Sequence, residues 1–142
     1  MRFAYPVTLQ PEPEGGFSVS FEDVPEALTQ GEDEAEALAM AADALVTALS
    51  FYTEDGQPLP TPSPARGRPV VGVPLLVAAK LALHARKLEL GLTDAAFARR
   101  LGLDQKSASR LIDPLHRSHI DTVEKALKAL GRRPELTVRP AA

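Results

Sequence analysis

The sequence predicts an α+β chain: a small N-terminal α/β domain, built as an antiparallel hairpin with one helix, followed by an all-α domain that ends in a strand. Three observations predict it. Apolar residues recur with a period of two over the first twenty or so positions and with the period of a helix from Asp33 onward. A stretch dense in proline and glycine, Glu54 to Pro69, separates the periodic segments. Charge also changes sign: up to Pro64 there are 12 Asp or Glu and one Arg (Arg2), and beyond it 15 Lys or Arg and 7 acids, net −11 beside +8. At 142 residues the chain holds one ordinary domain or two small ones, and 44% hydrophobic residues can fill their cores.

Phe3, Tyr5, Val7 and Leu9 alternate with smaller or polar residues, as do Phe17, Val19 and Phe21 with Ser18 and Ser20. Both are half-buried strands, joined by the loop "PEPEGG", Pro11 to Gly16. Pro6 lacks an N–H and places the first strand at an edge or a bulge. A short third strand is expected around Ala27 to Thr29. Asp33 with Glu36 has the spacing of a capping box, and Leu38, Ala42, Leu45, Leu49 and Tyr52 continue as a helical stripe. "VVGV", Val70 to Val73, is β-branched and can return to the first domain's sheet, so the boundary falls at Pro74: residues 1–73 form an acidic domain and 74–142 a basic one.

Proline at 74 suits the first turn of a helix that runs from Leu75 and stops at Gly91. Thr93 can cap a short helix through Leu101, with Phe97 and Ala98 inward, and Gly102 ends it. Asp104 caps the next, through Ile112. Ile120, Val123, Leu127 and Leu130 mark a further helix closed by Gly131. In "ELTVRP", Leu136 and Val138 alternate with Thr137 and Arg139, a lone strand that needs a partner. The same strand of a second chain is the simplest one, so a homodimer or higher homo-oligomer is expected.

Helix, glycine turn and helix over Thr93 to Ile112 have the form of a helix-turn-helix. Ala108, Leu111 and Ile112 share the core face, which turns Lys106, Ser109, Arg110 and Asp113 outward, with Gln105 at the N-terminal end. Gln pairs with adenine, Arg or Lys with guanine, and Ser with either, so this face carries the chemistry of major-groove readout. Thr93, Arg99, Arg100, Arg117 and His119 flank it, where they can meet phosphates. Asp113 argues the other way, as a carboxylate near phosphate, unless it orients Arg110 or Arg117. A solvated dimerisation module is the alternative reading of the same face.

The composition excludes other classes. With no cysteine there is neither a disulfide framework nor a thiolate metal site, and three scattered histidines make no zinc site. No metal or cofactor is expected. No apolar run reads as the roughly 20 residues of a membrane span, and Met1 leads into a polar alternating segment, so a cytoplasmic protein without a membrane partner is expected. Glu22, Asp23, Glu32, Asp33 and Glu36 could in principle serve a two-metal nuclease, but they sit at a strand end and in a helix's first turn, where the helix dipole favours acids anyway. Ser63 in "TPSP" and His84 on the long helix lack the context of a nucleophile or ligand. No catalytic residue is assigned, and the chain is read as a non-enzyme.

"TDAAFARRLGLDQKSASRLIDPLHRSHIDTVEKALKALG", Thr93 to Gly131, resembles the C-terminal helix-turn-helix of HicB-type antitoxins. "YPVTL", "GGFSVSFEDVPEALTQGEDEAEALAMAADAL" and "GQPLPTPS" resemble the same family's hairpin, acidic-valine-proline step, threonine-x-glycine turn, alanine-rich helix and proline-serine linker. The first loop, "QPEPEGG", departs from that pattern. The resemblance implies a partial RNase H-like first domain without nuclease activity that masks a small basic HicA-like mRNA interferase toxin. It also implies a second domain that represses the operon by binding operator DNA. It places Glu22, Asp23, Glu26, Glu32, Asp33 and Glu36 in or near the toxin-facing part and makes Gln105, Lys106, Ser107, Ser109 and Arg110 the reading helix. The competing function is a stand-alone repressor whose first domain senses a ligand.

Overall fold

The computed structural model describes residues 1–140. Its contacts divide the chain into two units: Met1–Phe51 with Pro60–Val73, and Tyr52–Leu59 with the chain from Pro74 onward. The last turn of the long helix and the first part of the proline-rich stretch thus belong with the second unit.

The first unit contains β1 (Ala4–Pro6), β2 (Thr8–Pro11), β3 (Phe17–Ser20), β4 (Thr29–Gly31), most of α1 (Glu34–Glu54) and β5 (Val70–Gly72). Its strands make two sheets rather than one. β1 pairs antiparallel with β5, Tyr5 opposite Val71, while β2, β3 and β4 form an antiparallel meander with Leu9 opposite Val19 and Val19 opposite Thr29. The alternation expected from Phe3 to Leu9 is therefore one segment in sequence and two in space. The break follows from Pro6, which ends β1 without an N–H to donate, after which Val7 N–H bonds to the Pro69 carbonyl at 2.9 Å. Tyr5, Val7, Val19, Phe21, Val24, Ala27 and Val71 are all buried.

Asp33 Oδ1 accepts the Glu36 N–H at 2.8 Å, and Glu36 Oε1 reaches back to the Glu32 N–H at 3.2 Å, a capping box displaced by one residue on its return arm. The buried stripe of α1 is Ala37, Ala41, Leu45, Ala48 and Leu49, with Leu38, Ala42 and Tyr52 only partly covered. It is rotated by about a residue from the expected stripe, because alanine carries weak periodic signal and yet is what a close approach requires. Gly31 shows the closeness: a Cβ there would fall on the backbone N and Cα of Ala37. At 21 residues, α1 is also long and apolar enough to cross a membrane by length and composition, contrary to the expectation that no run is. Its buried alanine-leucine stripe, with Asp43 exposed in mid-helix, is the arrangement of a core helix.

The second unit is helical: α2 (Leu75–Glu89), α3 (Asp94–Leu101), α4 (Gln105–Ile112) and α5 (Ile120–Ala129). α2 packs on α4 and α5, and α3 on α4. Leu83, Phe97, Ala98, Ala108, Leu111, Ile112, Val123, Ala126, Leu127 and Leu130 form one buried cluster. The strand expected at "ELTVRP" is absent: residues 132–140 carry no regular structure, with Leu136 67% and Val138 84% exposed. The segment joins neither of the two sheets.

Candidate functional site

The two short helices α3 and α4 and the glycine turn between them are set by three local devices. Thr93 Oγ1 accepts the Ala96 N–H at 3.1 Å and starts α3. Gly102 turns the chain at φ 68° and ψ 30°, and Leu103 N–H bonds back to the Ala98 carbonyl at 3.0 Å, which stops one helix and aims the next. Asp104 then caps α4, accepting from the Ser107 N–H at 2.8 Å and the Ser107 Oγ at 2.9 Å. These hydrogen bonds hold the Asp104 carboxyl below its ordinary pKa. Ser107, expected to be available to DNA, is thus half-buried and engaged in the cap.

With Ala108, Leu111 and Ile112 buried, Gln105, Lys106, Ser109 and Arg110 all face solvent on α4. Arg99 and Arg100 are exposed in the last turn of α3, and Arg117 and His119 are exposed on the segment between α4 and α5, His119 being the residue at which α5 begins. The exposed residues of α3, α4 and the segment that follows therefore include Gln, Ser and several cations. Asp113 makes no ion pair with Arg110 or Arg117 among the described residues; its Oδ1 accepts the Leu115 N–H at 2.9 Å.

Behind α4 lies a residue that sequence reasoning missed. Lys80 of α2 is fully buried, and its Nζ donates to the carbonyls of Arg110 (2.8 Å), Asp113 (3.0 Å) and His116. An ammonium at a helix C-terminus satisfies carbonyls that have no intrahelical partner. Burial lowers its pKa, and the Asp113 carboxylate pulls it partly back. One turn on, His84 Nε2 contacts the Gln57 carbonyl at 2.8 Å, while Nδ1 is buried without a partner among the described residues. Lys87 pairs with Asp94 and lies 5.4 Å from the centre of the Phe97 ring. The signal was present as Val77, Lys80, Leu81, His84 and Lys87 at helical spacing, but cations in such a stripe read as solvated ones.

In the first unit the acids divide by role. Glu22 binds Arg68 at 2.9 Å, and Arg68 in turn donates to the Pro64 and Ala65 carbonyls. Asp23 accepts from both the N–H (2.9 Å) and the hydroxyl of Ser63. These two hold the proline-rich return rather than standing free for a partner. Asp33 and Glu36 make the capping box, with Glu32 supplying the N–H that Glu36 reaches, and all three are exposed. Glu26 lies elsewhere, on a shallow groove of about 250 Å³ lined by Leu28, Met40, Asp43, Ala44, Thr47 and Phe51 among others. That groove too was missed, although Met40, Ala44, Thr47 and Phe51 recur at i, i+4, i+7 and i+11.

The family profile described as "HicB_like antitoxin of bacterial toxin-antitoxin system" matches residues 4–82. Among curated relatives, Antitoxin HicB of Escherichia coli strain K12 is 47% identical over 135 residues, covering 94% of this chain and 98% of its own. Antitoxin HicB 1 of Photorhabdus laumondii is 46% identical over 134 residues, covering 94% of this chain and 86% of its own. Antitoxin HicB of Pseudomonas fluorescens is 40% identical over 141 residues, covering 98% and 96%. The profile ends inside α2, whereas these alignments run on through α3 and α4. With the hairpin, the capped alanine-rich helix and the proline-rich return all in place, the chain belongs to the family of HicB-like antitoxins of bacterial toxin–antitoxin systems.

Proposed function

We propose that this chain works in the cytoplasm as a two-part antitoxin without enzymatic activity, and that its division of labour follows its charge. The acidic domain, residues 1–73, neutralises a small basic HicA-like toxin, and the basic domain, residues 74–142, binds operator DNA as a homo-oligomer and represses the operon. The observation that carries the DNA half is the exposed face of α4, where Gln105, Lys106, Ser109 and Arg110 project from a helix whose other side is fully packed. Gln105 and Ser109 are suited to base edges, and Lys106, Arg110, Arg99 and Arg117 to guanine or phosphate. Neutralisation is steric and electrostatic: a basic toxin meets an acidic surface quickly and in a salt-sensitive way.

Operator binding tests this directly. Replacing Lys106 and Arg110 by alanine is expected to weaken binding and to reduce its salt slope by about one for each phosphate no longer neutralised. An unchanged affinity and slope in a folded variant would show that α4 does not face the DNA. For the other half, the full chain is expected to co-purify with the basic product of a neighbouring gene. If no such product binds, the ligand-sensing repressor becomes the better reading.

A further inference from the structure

We propose that the groove formed by Leu28, Met40 and Phe51 is the docking face for the basic toxin, a reading that rests on the toxin-neutralising function proposed above. Three large apolar side chains point into solvent there, Leu28 at 68%, Met40 at 41% and Phe51 at 52% exposure, and they converge on one groove rather than being scattered. Single exposed apolar residues are ordinary on a soluble protein, whereas a contiguous set rimmed by polar groups marks an interaction surface. The set has a helical origin. α1 carries two apolar stripes, Ala37, Ala41, Leu45, Ala48 and Leu49, which are buried, and Met40, Ala44, Thr47 and Phe51, which line the groove. Only the first is covered.

Charge selects the occupant. The groove's charged lining is Glu26 and Asp43, with no cation among the described residues. The first unit as a whole has ten carboxylates against Arg2, Arg66 and Arg68, and Arg68 is paired with Glu22. A two-fold pairing with a second copy would bring like surfaces together, since each partner in such an interface presents the same patch. It would then set carboxylates near carboxylates, at a cost in like-charge repulsion. A basic protein with an apolar tip meets both the acids and the apolar floor. Phe and Met are also residue types enriched at the desolvated centre of protein interfaces, with acids better placed at the rim.

The test uses the full chain and the purified basic product of the neighbouring gene. Met40→Asp with Phe51→Ser places polar groups on the floor at exposed positions, and Glu26→Lys with Asp43→Lys reverses the rim. The floor variant is expected to weaken binding by about a hundredfold and the rim variant to slow association about tenfold at low salt, with melting temperature and operator binding preserved. Binding within about threefold of the unaltered chain in both variants would overturn the docking face while leaving the antitoxin reading intact. Failure of the unaltered chain to bind would instead overturn the antitoxin reading and this face with it. A fall in oligomeric mass by sedimentation, with toxin binding unchanged, would reassign the groove to a second copy.

Discussion

Lys80 is the residue on which the geometry at the end of α4, the helix proposed to meet DNA, rests. Its Nζ gathers carbonyls from Arg110, Asp113 and His116, so one buried cation ties down both the end of α4 and the segment that carries Arg117. Lys80→Met keeps the length of the side chain but leaves those carbonyls without a donor, a loss of roughly 1–3 kcal/mol for each group left buried and unsatisfied. The expected result is a lower urea midpoint and a weaker operator affinity, and a variant matching the unaltered chain in both would refute the role. His84, one turn along, makes stability depend on pH. Burial holds its pKa below the ordinary 6.5; the Gln57 carbonyl pulls it up and Lys87 pushes it down. The native state therefore binds fewer protons than the unfolded chain once pH falls below about 6.5. Stability is expected to be full at neutral pH and to decline towards pH 5, and His84→Leu is expected to flatten that decline; an identical slope in both proteins would count against it. Neither residue was legible, because a lysine or histidine amid apolar neighbours looks the same in sequence whether it snorkels to water or turns inward.

Elements with strong local chemistry were legible and those defined by packing were not. Thr93, Gly102 and Asp104 mark the ends of α3 and α4 by chemistry each residue carries on its own, so these helix ends could be placed to the residue. The face of α1 could not, since the stripe that is buried is mostly alanine and the more hydrophobic Met40 and Phe51 stay outside. The split between β1 and β2 was equally hidden: it depends on which strand each half of the segment finds as partner. Two glycines separate the physical causes. Gly102 has open space where a Cβ would be but a positive φ, so Gly102→Ala is expected to cost about 1–2 kcal/mol through backbone strain alone. Gly31 has no such strain but sits against the backbone of Ala37, so Gly31→Ala is expected to cost roughly 1–3 kcal/mol by forcing β4 away from the first turn of α1. Chemical denaturation of the two variants checks both figures, and a Gly31→Ala protein as stable as the unaltered chain would show that the approach is looser than it stands.

For the whole molecule, the change of charge sign was legible early, whereas the surfaces proposed to use it needed the fold. Of the acids named from the sequence, Glu22, Asp23, Asp33 and Glu36 bond within the chain, and the apolar groove beside Glu26 was invisible until α1 was oriented. The C-terminal segment raises the converse question. Leu136 and Val138 alternate with Thr137 and Arg139, yet in the single chain the segment has no strand partner and both apolar side chains are exposed. Two copies related by a two-fold axis would supply each other with a ladder and cover those side chains together, which gives the segment a use that one chain cannot. Such pairing would also link two copies of α4, and if the proposed DNA binding holds, a two-headed binder gains affinity because its second engagement with DNA is intramolecular. Removing residues 133–142 is therefore expected to lower the mass seen by sedimentation and to weaken operator binding by tenfold or more, on the order of the gain that linkage gives. Toxin binding by the same protein is expected to persist, since the acidic unit is untouched. A truncated chain that keeps both its mass and its operator affinity would place the dimer interface elsewhere.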